Sequence, residues 1–179
     1  MVWRRWFARD GSEGAARRLY EAAVGQARRP EFYETLGVPD TLDGRFELVA
    51  LHGFMLMRRL RPVPGGPALG QSLFDVMFAD MDASLREMGA GDLGVGRRVK
   101  TMAKGFLGRM AAYDAGLAGT APLDAALRRN LYGTSEPAPE ALAAMTRYVG
   151  AMEKSLADQA DSDLLAGRAG FPPPPVSGR

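Results

Sequence analysis

The chain contains no cysteine. Disulfides, thiolate metal sites and a cysteine nucleophile are therefore excluded. Isoleucine is absent too, while Ala, Leu, Arg and Glu are frequent, a balance that favours helices over strands. One histidine, His52, is present. A di-iron bundle needs two Glu-x-x-His pairs, so that chemistry is out of reach. Excess charge is scarce: the net value is +2 across 179 residues. A nucleic-acid binder concentrates far more positive charge, so no nucleic-acid partner is expected. Long apolar runs are also missing. The longest, Leu48 to Met57, is broken by His52 and Gly53 and falls short of the roughly 20 residues that cross a bilayer. The opening MVWRRWFARD has charges but no apolar stretch behind them, so no secretory signal is expected. The reading is cytoplasmic.

What is present is a globular share of apolar residues, 46%, arranged at helical period. Residues 1–11 read as a flexible basic and aromatic arm ending at Asp10-Gly11. A first helix spans about 12–29, capped by Ser12 and closed by Arg29-Pro30. A second runs over 41–61 and is apolar nearly all round, which marks a central, buried helix. PVPGGP at 62–67 breaks it. A third covers 68–88. GAGDLGVG at 89–96, with four glycines in eight residues, is a tight connector in which Asp92 is a candidate N-cap. A long fourth helix follows this connector to about Leu117, and others lie at about 123–131 and from near Pro139. The tail from Gly167, with four prolines at 172–175, reads as disordered. The expected fold is all-α: a compact helical bundle of about six helices, with one domain over 12–166.

Polar residues stand out on the two oiliest helices. Arg45, His52 and Arg59 are spaced by seven and share one stripe at about 100° per residue. Asp75, Asp82 and Arg86 form a stripe on the third helix. In an antiparallel hairpin His52 comes level with Asp75 and Arg45 with Asp82, and paired opposite charges would offset their desolvation. Such pairs would set helix register or line a partner groove. Two other readings stay open. Asp75, Asp80 and Asp82 resemble the acidic helix of an isoprenoid- or quinone-related enzyme, although Asp80 lies about 140° around the helix from Asp75 and no second acidic helix follows. Trp3, Arg4, Arg5, Trp6 and Phe7 interleave rings with cations, as an interfacial segment on anionic lipid does, and so suggest a membrane-surface adaptor. The 89–96 glycines follow a helix and lack a phosphate-loop Lys-Ser/Thr ending, so they are a turn.

Four features taken as a set carry a family resemblance: FYETLGVPDTLDGRFELVALHGFMLMRRL (32–60), LFDVMFADMDASLREMGAGDLGVGRRVKTMA (73–103), FLGRMAAYDAGL (106–117) and the spacing between them. The chain resembles the ubiquinol–cytochrome c chaperone family over roughly 15–120. The resemblance implies a non-enzymatic assembly factor for the cytochrome bc1 complex. Its mitochondrial members act with a small partner at the ribosomal exit, bind newly made cytochrome b and lie on the inner-membrane surface. It implies no cofactor, no metal and no catalytic residue. The expected partners are cytochrome b or another bc1-complex component, a small co-chaperone and the membrane surface. The matching positions that would bind the client or hold the fold are Asp40, Asp43, Gly44, Arg45, His52, Asp80, Asp82, Arg86, Glu87, Gly89, Gly91, Asp92 and Arg109. Residues after 120 are not assigned a role.

Overall fold

A computed structural model describes the backbone of residues 3–87, 92–133 and 135–175, and the side chains of these except residues 3–11, 85 and 92–100. The described chain is helical: α1 (Trp3–Ala27), α2 (Glu31–Glu34), α3 (Leu42–Leu60), α4 (Gly66–Glu87), α5 (Asp92–Leu117), α6 (Leu123–Leu127), a π-helical turn (Arg128–Tyr132), α7 (Pro139–Ala157) and α8 (Asp161–Leu165). The all-α bundle is as expected. The one-turn helices α2 and α8 are additions, too short to leave a periodic trace. The helix expected at 123–131 changes to π geometry at Arg128.

The second helix is the axis of the bundle. Thr41 caps α3 by accepting a hydrogen bond from the Gly44 N–H at 3.1 Å, satisfying one of the helix's orphan donors. A Cβ at Gly44 would overlap the Pro39 carbonyl, so only glycine lets the entering turn fold back on the helix. Leu48, Leu51, Phe54, Leu56 and Leu60 are fully buried on several sides of α3, each contributing about 1.5–3 kcal/mol. α1 lies against both α3 and α4, α5 against α4 and α6, and α7 against α3. The α3–α4 hairpin closes through Gly65 at φ 83, a left-handed angle that other residues adopt at a cost. Along its seam Met77 meets Gly53 and Met57 meets Gly70, so missing side chains on one helix receive flexible ones from the other.

Three arginines tie α3 to the second half of the chain. Arg58 pairs with Asp114 of α5 at 3.0 Å and Glu153 of α7 at 2.5 Å. Arg61 reaches the other oxygen of Asp114 at 2.6 Å. Arg59 donates to the carbonyls of Leu156 and Gln159 and pairs with Asp161, so it caps the C-terminal end of α7 with a charge of the favourable sign.

Two expectations at the chain ends need correction. Trp3–Ala27 is one continuous helix, so Asp10-Gly11 does not separate an arm from α1. The tail is ordered as far as Pro175. Gln159 and Gly170 exchange two hydrogen bonds, side chain to backbone, at 2.8 and 2.9 Å. Phe171 stands edge-on to His52 with centroids 5.1 Å apart. Proline's fixed φ forbids helix but suits an extended strap whose carbonyls are taken by side chains. Residues 176–179 lie outside the described residues.

Candidate functional site

The expected pairing between α3 and α4 does not form. Arg45 is exposed and pairs with Asp40 at 2.6 Å. That hydrogen bond holds the Asp40 carboxyl below its ordinary range. Asp82 pairs with Arg86 one turn along its own helix. Asp75 accepts from Gln71, and Asp80 accepts from the Tyr20 hydroxyl at 2.7 Å. The reason is solvation. α4 turns Leu73 and Met77 inward and leaves its carboxylates at the surface, where charge costs least. The three aspartates have three separate partners, and among the described residues no group of acidic or histidine side chains converges as a metal site requires.

His52 instead sits at the centre of a neutral network facing α7. Its Nδ1 lies 2.7 Å from the Leu48 carbonyl and its Nε2 lies 2.9 Å from the Tyr148 hydroxyl. A carbonyl can only accept, so Nδ1 carries the proton and Tyr148 donates to Nε2. Gln26 of α1 donates to the Tyr148 hydroxyl and also to the Pro172 carbonyl. One chain of hydrogen bonds thus joins α3, α7, α1 and the strap. Burial pushes the His52 pKa down to about 4, with the Leu48 bond opposing. This histidine is a packed, neutral core group.

Two of the concave surfaces among the described residues gather the expected positions. The larger, about 850 Å³, opens between α1, α3 and α4. Its apolar lining includes Leu42, Phe46, Val49, Met77 and Met81, and its polar lining includes Tyr20, Arg28, Asp40, Arg45 and Asp80. Leu42 is 46% exposed there. Asp40, Arg45 and Asp80 therefore do meet, along one groove. The smaller cavity, about 550 Å³, lies between the start of α3, α5 and the π-turn. Arg109 pairs there with Glu47 at 2.6 Å. Burial raises Glu47 to about 7; Arg109 opposes the shift and Asp43 adds to it. Asp43, exposed in the first turn of α3, lines the same cavity.

The other matching positions scatter. Arg86 and Glu87 are exposed at the end of α4. Asp92 is the first residue of α5, but its side chain, with those of Trp3, Arg4, Arg5, Trp6 and Phe7, lies outside the described residues, as do Gly89 and Gly91. Sequence reading passed over Glu47, Tyr20, Tyr148, Gln26 and Asn130. A signal existed for Glu47: it is a lone carboxylate in an apolar run between Phe46 and Leu48.

A model of the ubiquinol-cytochrome C chaperone family matches residues 34–171. The chain belongs to this family. Among the relatives of this chaperone is "Ubiquinol-cytochrome-c reductase complex assembly factor 1" of Xenopus laevis, 28% identical over 84% of this chain and 76% of that protein. Another is "Protein CBP3, mitochondrial" of Saccharomyces cerevisiae, 32% identical over 81% of this chain and 45% of that protein. The solved "Cbp3 homolog from Brucella abortus" is 36% identical, covers 96% of each chain and superposes with a TM-score of 0.81. The match to the family continues past residue 120, so α6, the π-turn and α7 are part of the common fold.

Proposed function

We propose that this chain is an assembly chaperone for the cytochrome bc1 complex, acting by binding and not by catalysis, and that it holds an apolar segment of newly made cytochrome b in the α1–α3–α4 groove. The groove itself supports the reading. It opens Leu42, Phe46, Val49 and Met81 at least partly to solvent beside charged residues, over buried Met77, the pattern by which a groove takes up an apolar helix. Methionine side chains adapt to varied client surfaces. No helix among the described residues is long and apolar enough to cross a membrane. The continuous α1 puts Trp3, Arg4, Arg5, Trp6 and Phe7 on a regular helix, the form in which such residues would rest on the inner-membrane surface.

A photo-crosslinking residue at Met81 is expected to capture cytochrome b in cells, while one at exposed Ala151 on α7 captures none. Leu42→Asp with Met81→Asp is expected to lower bc1 content, read from haem spectra of membranes. Equal capture from both positions, or a deletion strain with normal bc1 content, overturns the proposal. Flotation with anionic liposomes tests the membrane contact: it requires Trp3→Ala/Trp6→Ala to reduce binding.

A further inference from the structure

Two opposite sides of α1 have different neighbours. At about 100° per residue, Ala15, Arg18, Ala22 and Gln26 form one stripe, and Tyr20, Val24 and Arg28 form another across the helix. The second stripe is a wall of the α1–α3–α4 groove. The first is covered by the C-terminal strap. Arg18 donates to the Ala166 carbonyl from Nε and Nη2, at 3.1 and 2.9 Å. Gly167 presses on Ala15 so closely that a Cβ would lie 2.6 Å from its carbonyl oxygen. Ala22 and Ala169 line one shallow hollow, and Gln26 donates to the Pro172 carbonyl at 2.8 Å. Strap and helix therefore run in the same direction. Their lengths match as well: residues 15–26 rise about 16 Å as a helix, and residues 167–172 about the same as an extended proline-rich chain. Phe171 packs on His52 and Pro174 is buried, with Pro173 exposed between them. That spacing is the three-residue period of such a chain.

We propose that the strap is a releasable clasp on α1 and that it sets the width of the groove. This rests on the reading of the groove as the client site. α1 needs such a hold because its own core face is thin. Ala15, Ala16, Ala23 and Ala27 are buried there beside one larger side chain, Leu19, and an alanine methyl contributes far less on burial than a leucine side chain. The clasp in turn is light. Residues 169–175 carry no charge, and the Gln26 and Gln159 side chains and the inward Phe171 and Pro174 hold them. A segment held by so few contacts opens while the rest stays folded. Gly167, at φ 78, is its pivot. Tyr20 remains bound to Asp80 of α4 at 2.7 Å, so release frees the C-terminal half of α1. With the strap docked, a client segment touches Val24 on one wall and Met77 and Met81 on the other. With it released, the α1 wall withdraws and the client loses those contacts. Strap opening therefore favours client release, and client binding favours the docked strap to the same extent.

The test uses the full chain, whose lack of cysteine lets spin labels be placed on introduced ones. Gly25→Cys on α1 with Ala83→Cys on α4 reports the groove width. Ala83→Cys with Lys104→Cys on α5 is the control pair, and all three positions are exposed. The clasp is released in two ways. Gly167→Ala drives a methyl group into the α1 backbone, and Phe171→Ala with Pro174→Ala removes the inward rings. In both, the 25–83 distance should lengthen and broaden while the 83–104 distance stays fixed. Amide exchange over residues 21–27 should speed at least about tenfold, as loss of one or two hydrogen bonds gives, with residues 48–56 of α3 unchanged. Capture of cytochrome b from Met81 should fall several-fold. The proposal is overturned if the 25–83 distance is unchanged, if α1 and α3 exchange speed up alike, or if the groove widens and capture from Met81 is undiminished. A wild type that captures no cytochrome b refutes the client reading, and the distances and exchange rates still decide whether the strap sets the groove.

Discussion

His52 and Glu47 should make stability respond to pH in opposite directions, so that the intact protein conceals both responses. His52 titrates near 4 when folded against 6.5 in an open chain. The unfolded chain therefore binds the extra proton, and stability is complete above 6.5 and lost as pH falls towards 4. Glu47 titrates near 7 when folded against 4.5. Here the folded state binds the extra proton, and the associated stability is complete below 4.5 and lost as pH rises through 7. Between about pH 5 and 6.5 each group shifts stability by about 1.5–2 kcal/mol, with opposite signs. The wild type should be nearly flat across this window. His52→Gln removes the histidine slope, so its stability should fall by about 1.5–2 kcal/mol as pH rises. Glu47→Gln should do the reverse and gain by a similar amount. In a chain of this length that corresponds to roughly 3–8 °C in Tm. Urea unfolding followed by circular dichroism at half-unit pH steps measures the slopes, and other carboxylates cancel in the difference from wild type. If both single variants keep the wild-type profile, neither group is perturbed as the geometry requires and the reasoning fails.

Gly44→Ala forces a methyl group onto the Pro39 carbonyl; a loss of about 3 kcal/mol is expected from overpacking against backbone, and a Tm within error of wild type would refute it. Tyr148→Phe removes the donor to His52 Nε2 and should cost about 1–3 kcal/mol in urea unfolding. Ending the chain after Gly167 removes the Gln26–Pro172 and Gln159–Gly170 bonds and the Phe171 ring. About 3 kcal/mol should be lost, with faster amide exchange around Tyr148; unchanged exchange there would show that the strap contributes nothing.

Much of the bundle was legible in residue order because helix period and punctuation are local. The apolar positions from Leu42 to Leu60 and the PVPGGP break act within a few residues of themselves, and α3 and the α3–α4 turn follow from them. α2 and α8, at four and five residues, are too short to show a period. The site was less legible. Asp40 and Arg45 meet because they are five residues apart around the α3 cap, and that closeness is visible in the sequence. Asp80 joins them only through a groove built by three helices, and its partner Tyr20 lies 60 residues away.

Residue order alone therefore determined that the chain is helical, which helix is central and which residues belong to the family's pattern, since each depends on neighbours a turn or two away. Only the tertiary structure decided which helix each polar stripe faces. Periodicity gives an angle around one helix but says nothing of its orientation against another, so His52 answers Tyr148 and not Asp75. The same holds for Glu47 and for the proline strap: burial raised one pKa and glutamines over a hundred residues apart ordered the other, and both effects exist only once distant segments have packed.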